Sequence, residues 1–169
     1  MMDPVASLKA HQPSHEFLIA IDSDGCAFDT MEIKHKECFI PNIIKYWDLQ
    51  PVSKYARAAA EFVNLYSTWR GINRFPALLM VFDLLNDWDK VREREFRCPD
   101  VASLREWVVK ESKLGNPVLE AYCKAHPDDP VMARALEWSK AVNLTVADIV
   151  QGGLPPFPYV RECLEKAHV

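Results

Sequence analysis

The stretch of sequence that decides the fold is residues 17–30, which read FLIAIDSDGCAFDT. Its first five residues are apolar without interruption, and the run stops at two aspartates and a glycine. A short continuous apolar run bounded by turn residues is typical of a β-strand that is buried on both faces. Residues 17–21 are therefore predicted to form a buried strand, and Gly25 permits the sharp turn that follows it.

Helical patterns follow this stretch along most of the chain. Thr30 is predicted to cap a helix, and Pro41 is predicted to kink or divide it, because proline cannot donate a main-chain hydrogen bond. Pro51 and Ser53 begin another helical pattern. Apolar residues at helical spacing, bounded by Pro, Gly, Asp or Asn, predict further helices over 75–88, 101–114, 117–125 and 131–150, and a final amphipathic helix after the segment LPPFP. Residues 1–15 are polar and aperiodic, which predicts a lead-in without regular structure.

The composition limits the class of protein. The chain has 169 residues, of which 49% are hydrophobic, so it is long enough to bury a core. Its formal charge of −4 creates no basic field, and no apolar run is long enough to cross a bilayer, so neither nucleic acid nor membrane is an expected partner. The five cysteines are scattered and form no CxxC pair, which favours a reducing cytoplasm over a disulfide framework or a zinc site.

Two carboxylates end the predicted strand. Asp22 and Asp24 lie two residues apart, so in extended geometry their side chains point the same way. Two close anions repel each other, and Mg²⁺ with oxygen ligands is the natural partner. Such an ion also offsets the repulsion between a carboxylate nucleophile and a phosphoryl group, which makes an aspartyl-phosphate intermediate accessible. The alternative is that Asp22, Asp24 and Asp29 are turn and cap residues.

An apolar strand, then DxDG, then Asp-Thr at the start of a helix resembles the first motif of haloacid dehalogenase (HAD) hydrolases. The residues that carry the resemblance are Asp22, Asp24, Gly25, Asp29 and Thr30. By this resemblance Asp22 is the nucleophile and a metal ligand. Asp24 is the acid/base, and its main-chain carbonyl is a second ligand of Mg²⁺. The resemblance thus gives each carboxylate a different role.

The resemblance also implies a fold class and a division of the chain. The class is α/β, with a HAD-like Rossmannoid core and an inserted all-α cap, although the chain as given is mostly helical with one clear core strand. Residues 1–30 are expected to hold the first core strand and the nucleophile loop, 31–153 the helical cap, and 154–169 a return helix to the core. The rest of the core and the later motifs of the family are not found in these residues. Cys26 stands where the family usually has Thr or Val.

The segment TWRGINRFP supplies the predicted substrate-binding residues, Arg70 and Arg74. In capped HAD members a glycine-bearing loop with a basic residue approaches the substrate, and Gly71 lies between these two arginines. Guanidinium groups suit phosphate or carboxylate because they donate two parallel hydrogen bonds. The alternative is that both arginines are solvated residues near helix ends. The other acidic pair, Asp128 and Asp129, is predicted to be a turn or an N-cap rather than a metal site.

The expected function is that of a magnesium-dependent, phosphatase-type HAD hydrolase, which acts on a small phosphorylated metabolite through an aspartyl-phosphate. One alternative is a catalytically incomplete fragment or interaction module that self-associates through an incomplete core, because an unpaired strand recruits partners. Another is a hydrolase of the haloacid dehalogenase or phosphonatase type. By the resemblance, a hydrolase of that second type uses the same nucleophile position and cleaves a carbon-halogen or carbon-phosphorus bond.

Overall fold

The computed structural model describes residues 4–167. Residues 1–3 and 168–169, which belong to the predicted core segment 1–30 and to the predicted return helix 154–169, lie outside the described residues. Within residues 4–167 there are ten α-helices: α1 (Pro4–Ala10), α2 (Thr30–Ile33), α3 (Ile40–Tyr46), α4 (Ser53–Glu61), α5 (Arg74–Asp87), α6 (Asp89–Arg92), α7 (Ala102–Lys110), α8 (Asn116–Ala125), α9 (Pro130–Gln151) and α10 (Val160–Ala167).

The helices predicted over 75–88, 101–114, 117–125 and 131–150 are confirmed as α5, α7, α8 and α9. Two π-helical segments, Lys34–Phe39 and Phe62–Tyr66, extend α2 and α4, and a short 3-10 helix covers Gln50–Val52. Helix α1 occupies part of the lead-in that is predicted to be irregular.

Two local details explain where helices begin and change. Pro41 lies in the first turn of α3, directly after the π-helical segment. A proline has no N–H for the preceding turn, and a wider π turn accommodates that missing bond.

At α9, Asp129 is the N-cap, and its side chain accepts hydrogen bonds from Val131 N and Met132 N at 3.0 and 3.1 Å. The N-cap predicted at Asp128–Asp129 is therefore confirmed for the second residue of the pair.

A continuous aromatic cluster forms the centre of the core. The rings of Trp47 and Phe82 lie 5.4 Å apart, and those of Trp47 and Trp138 lie 6.4 Å apart. Phe75 meets Trp138 at 5.9 Å and Trp107 at 5.1 Å. All four contacts are edge-to-face, a geometry that adds favourable quadrupole interactions to the burial of large apolar surfaces. These side chains join α3, α5, α7 and α9 into one helical body.

The predicted α/β class is wrong for the described residues. Residues 4–167 are an all-helical fold without a β-strand or sheet, so they contain no Rossmannoid core into which a helical cap could be inserted. Their only β-type pairings are two isolated bridges, Asp24 with Phe28 and Phe28 with Pro156. The helical part of the prediction corresponds to the body described above.

The strand predicted over residues 17–21 is also wrong. This segment has no regular secondary structure, and Phe17, Leu18 and Ile19 are 81%, 90% and 68% exposed. A strand needs neighbours that satisfy its main-chain N–H and C=O groups, and the described residues supply none. The core of the helical body is filled by residues of its own helices, and residues 17–21 do not take part in it.

Among the described residues, no helix combines the length and the apolar character that crossing a bilayer requires. All five cysteines are free. Burial raises the pKa of the Cys98 thiol to about 12, and it also raises the pKa of Cys38 and Cys123. Because the thiolate is the reactive form, these three side chains are poor nucleophiles at neutral pH.

Candidate active site at the aspartate loop

Residues 22–29, which we call the aspartate loop, form a compact turn ahead of α2. Gly25 N donates to Phe28 O at 2.9 Å, and Phe28 N donates to Ser23 O at 2.9 Å. Thr30 N, at the start of α2, donates to Phe28 O at 2.8 Å. Gly25 has a φ of 70°, in the left-handed region that glycine adopts without strain. The DxDG sequence therefore produces the sharp turn that is predicted for it.

The segment before α10 holds the other side of this loop. Phe157 N donates to Ala27 O at 3.0 Å, next to the bridge between Phe28 and Pro156. Ala27 is buried by these contacts, although the aspartates nearby are exposed. A contact across about 130 residues of sequence thus fixes the loop at the start of α2.

Both carboxylate oxygens of Asp24 are engaged. Thr30 Oγ1 donates to Asp24 Oδ1 at 2.8 Å, and Lys34 Nζ lies 2.8 Å from Oδ1 and 2.7 Å from Oδ2. The hydrogen bond from Lys34, followed by that from Thr30, lowers the pKa of Asp24 below its usual value. Thr30 therefore does not act as the predicted N-cap of α2, because Asp29 occupies that position and the Thr30 hydroxyl binds Asp24.

Asp22 is in a different environment, although it is only two residues away. Its side chain is exposed, and within residues 4–167 its carboxylate takes part in no hydrogen bond or ion pair with another side chain. Its main-chain carbonyl accepts a hydrogen bond from Ala27 N at 3.2 Å, which ties the backbone but leaves the carboxylate accessible. Of the two predicted catalytic aspartates, Asp22 thus has an accessible carboxylate, whereas the carboxylate of Asp24 is held by Thr30 and Lys34.

Arg70 lies against the aspartate loop. A Cβ atom added to Gly25 would lie 3.1 Å from Arg70 Nη2 and 2.8 Å from Met31 Cγ. Arg70 Nη1 donates to Leu65 O at 3.2 Å, which anchors one side of the guanidinium, while the residue as a whole is exposed. The fold therefore brings this predicted substrate-binding residue to the loop that carries Asp22 and Asp24.

Arg74 has a different set of contacts. Its Nη1 donates to Ser139 O and Ser139 Oγ, both at 3.0 Å, and to Asn143 Oδ1 at 2.8 Å. The guanidinium carbon lies 5.1 Å from the ring centre of Phe39. Arg74 thus joins the start of α5 to α9, and the substrate-binding role suggested for it stays a prediction.

His35 lies on the π-helical segment Lys34–Phe39, near three basic side chains. Burial, together with the positive charges of Arg70, Lys34 and Arg74, lowers the pKa of His35 to about 4. The imidazole is therefore neutral near pH 7. Its Nδ1 is buried and has no hydrogen-bond partner within the described part of the chain. The positive charges of Arg70, Lys34 and Arg74 thus act together at the His35 side chain, one residue after Lys34.

Lys34 is the contact that sequence reasoning missed. The available signal was its spacing, because Thr30 and Lys34 are four residues apart and share one face at the start of a helix. A threonine and a lysine on that face, directly after an aspartate-rich turn, indicate a site where a carboxylate is held.

The donor set at this loop fits Mg²⁺ only in part. Within residues 4–167, no group of three or more His, Cys, Asp or Glu side chains is arranged to hold a metal ion. The Asp22 carboxylate is accessible, and Mg²⁺ is commonly held by one or two carboxylates together with substrate phosphate and water. The Asp24 carboxylate does not fit as a ligand here, because a lysine ammonium already occupies it. This leaves the Asp24 main-chain carbonyl, the ligand that the HAD resemblance implies.

No family model, curated protein or solved structure matches this chain. The class of this protein is therefore described from its fold and from the residues around its aspartate loop. In the part that the structure describes, it is a helical body with an exposed aspartate loop. Lys34 contacts this loop from the π-helical segment that follows α2, and Arg70 contacts it from the segment after Tyr66.

Proposed function

We propose that this protein is a magnesium-dependent phosphohydrolase of the HAD type, which hydrolyses a small phosphorylated metabolite through an aspartyl-phosphate on Asp22. The observation that supports the proposal is the unequal treatment of the two aspartates. Asp22 is free to act as a nucleophile, whereas Asp24 is held by Thr30 and Lys34 and is available for proton transfer. This division of roles is the one that the sequence motif implies.

The proposed reaction has two steps. In the first, an oxygen of Asp22 attacks phosphorus, the bond from phosphorus to the leaving oxygen breaks, and Asp24 gives that oxygen a proton. In the second, a water oxygen attacks phosphorus while Asp24 takes a proton from that water, the bond between phosphorus and the Asp22 oxygen breaks, and inorganic phosphate leaves with the Asp22 carboxylate restored. The lowered pKa of Asp24 suits the second step. An anionic substrate next to Asp24 raises that pKa and so favours the protonated form in the first step.

The position of Arg70 supports an anionic substrate. Its guanidinium lies over Gly25, and its charge reaches His35 together with that of Lys34. When bound, Mg²⁺ would stabilise charge on the transferred phosphoryl oxygens and offset their repulsion from Asp22. We place this activity in the cytoplasm, where reducing conditions suit five free cysteines.

The test is hydrolysis by the full chain. Phosphate release is measured with Mg²⁺ on a panel of small phosphomonoesters, for the wild type, for Asp22→Asn and for Asp128→Asn. We expect activity in the wild type, loss of about a thousandfold or more in Asp22→Asn, and little change in Asp128→Asn. Removal of Mg²⁺ with EDTA is expected to abolish hydrolysis, and its return to restore it.

Two outcomes count against the phosphohydrolase. One is a wild-type chain that hydrolyses no ester of the panel, and the other is an Asp22→Asn variant that is as active as the wild type. Asp128→Asn provides a matched control because Asp128 is an exposed aspartate outside the aspartate loop.

A second candidate function, an interaction module, is favoured by the exposed apolar segment. Phe17, Ile19 and Ile21 line one side of a groove of about 800 Å³, and Leu164 and Ala167 of α10 line the other. The main-chain groups of residues 17–21 have no hydrogen-bond partner within residues 4–167. We propose a second copy of the chain as the occupant, because its identical segment offers matching apolar side chains and unpaired main-chain groups.

Light scattering over a range of protein concentrations tests this candidate. We expect association that Ile19→Lys abolishes and that Leu144→Lys retains, because Leu144 is an exposed apolar residue on α9 and does not line the groove. A wild-type chain that stays monomeric at the highest concentration would exclude the interaction module.

A further inference from the structure

The Asp24 carboxylate is held by one face of the helical segment that follows it. Thr30 Oγ1 reaches Oδ1 at 2.8 Å, and Lys34 Nζ reaches both oxygens, at 2.8 and 2.7 Å. The Lys34 side chain is only 20% exposed, whereas that of Asp24 is 48% exposed. A half-buried lysine therefore contacts the carboxylate from the protein side, while its other side remains open to solvent.

The contact constrains Asp24 more closely than an ordinary surface ion pair does. A typical surface pair joins two long, exposed side chains and contributes little to stability. Here one partner is a short aspartate in a turn that has its own hydrogen bonds, and a second donor, Thr30, fixes one of the two oxygens. The plane of the carboxylate is thus set by two residues that are four positions apart on one helical face.

We propose that Lys34 is a positioning residue that orients the Asp24 carboxylate for proton transfer and keeps Asp22 as the one accessible nucleophile. The inference rests on the proposed phosphohydrolase and names a residue that the HAD resemblance does not supply. Lys34 acts through Asp24 and does not itself touch the reacting atoms. Its ammonium can donate three hydrogen bonds, and its two contacts with Asp24 leave the exposed side of the carboxylate free.

The leaving group of the substrate distinguishes positioning from general structural support. An alkyl phosphate needs a proton on its leaving oxygen, whereas the p-nitrophenolate of p-nitrophenyl phosphate leaves readily without one. We expect Lys34→Met to lower kcat/KM, which reports on the steps up to formation of the aspartyl-phosphate, by about tenfold or more on an alkyl phosphate and by less than about threefold on p-nitrophenyl phosphate. Lys34→Arg is expected to recover part of the loss.

The control variant is Lys45→Met. Lys45 lies exposed on α3 and is not part of the aspartate loop or its contacts, so both esters should be hydrolysed as by the wild type. If Lys34→Met lowers kcat/KM equally on the two esters, the positioning role is overturned.

A second measurement does not depend on catalysis. The NMR resonance of the Lys34 side-chain ammonium, assigned by its loss in Lys34→Arg, reports directly on the contact with Asp24. We expect Asp24→Asn to shift this resonance strongly and Asp22→Asn to leave it in place. A resonance that does not respond to Asp24→Asn overturns the proposal. If the wild type hydrolyses neither ester, the phosphohydrolase fails, and the ammonium resonance then decides whether Lys34 holds Asp24.

Discussion

Gly25 combines a left-handed backbone with a close approach to Arg70. Its φ is 70°, and a Cβ at this position would lie 2.8 Å from Met31 Cγ and 3.1 Å from Arg70 Nη2. Gly71 has a φ of 84°, but no atom lies within 4 Å of a Cβ added there. Substitution of Gly71 therefore measures only the cost of a positive φ, without a steric clash. We expect Gly71→Ala to lower the free energy of unfolding by about 1 kcal/mol and Gly25→Ala to lower it further. Urea denaturation measures both, and equal costs would show that Arg70 and Met31 do not press on the loop in solution.

His35 predicts a dependence of stability on pH. Its pKa falls from 6.5 to about 4 on folding, because of burial and the charges of Arg70, Lys34 and Arg74. Between these values the unfolded chain binds more protons than the folded one, so this contribution is present above about pH 6.5 and is lost as the pH falls towards 4. The loss amounts to at most about 3 kcal/mol.

Urea denaturation at several pH values tests this dependence. We expect His35→Phe, which places a ring next to Phe39, to remove most of this loss of stability between pH 7 and pH 4. His126→Phe, at an exposed histidine, is expected to keep the wild-type dependence. If wild type and His35→Phe lose stability in parallel, His35 is not the titrating group.

At the scale of helices, α9 depends on its N-cap. Asp129 accepts hydrogen bonds from Val131 N and Met132 N, whereas neighbouring Asp128 is exposed and caps nothing. Asp129→Ala is expected to lower the free energy of unfolding by about 1 kcal/mol, and Asp128→Ala by much less. Thermal and urea unfolding compare the two variants. Equal effects would mean that the acidic pair acts through its charge and not through the cap.

The helices could be predicted from the sequence because their signals are local. Apolar spacing and terminal residues such as Asp129 indicated α5, α7, α8 and α9. The strand over 17–21 could not be judged in this way, since a strand is defined by partners elsewhere in the chain and residues 4–167 contain none. The π-helical segments could not be predicted from the sequence, because the change from an α to a π turn leaves the apolar pattern almost intact.

The candidate site was predictable to a similar extent. Asp22 and Asp24 followed from a local motif, and Arg70 followed from the family resemblance, not from spacing. Its approach to Gly25 depends on how the segment after Tyr66 folds back, which no local pattern encodes. Lys34 carried a local signal, but a lysine on a helix is usually a solvated residue, and only the distance to Asp24 shows its contact.

At the scale of the whole molecule, the described chain divides into a closed body and exposed flanks. The aromatic cluster around Trp47, Phe75 and Trp138 is buried within the helices. Helix α10 buries no side chain, and the apolar residues 17–21 lie exposed beside it. Stability should therefore come from the helical body, and the aspartate loop connects that body to the flanks through Thr30 and Phe157.

Two leucines test this division directly. Leu18 is 90% exposed in the flank and Leu78 is 0% exposed in α5, so the same truncation to alanine removes surface atoms in one case and core atoms in the other. Leu78→Ala is expected to lower the free energy of unfolding by about 2–5 kcal/mol, and Leu18→Ala to change it by less than about 0.5 kcal/mol. Urea denaturation followed by tryptophan fluorescence at low protein concentration measures both. A large cost for Leu18→Ala that grows with protein concentration would place residues 17–21 in an interface between copies. A large cost independent of concentration would mean that the segment is buried within a single chain, which contradicts its exposed position.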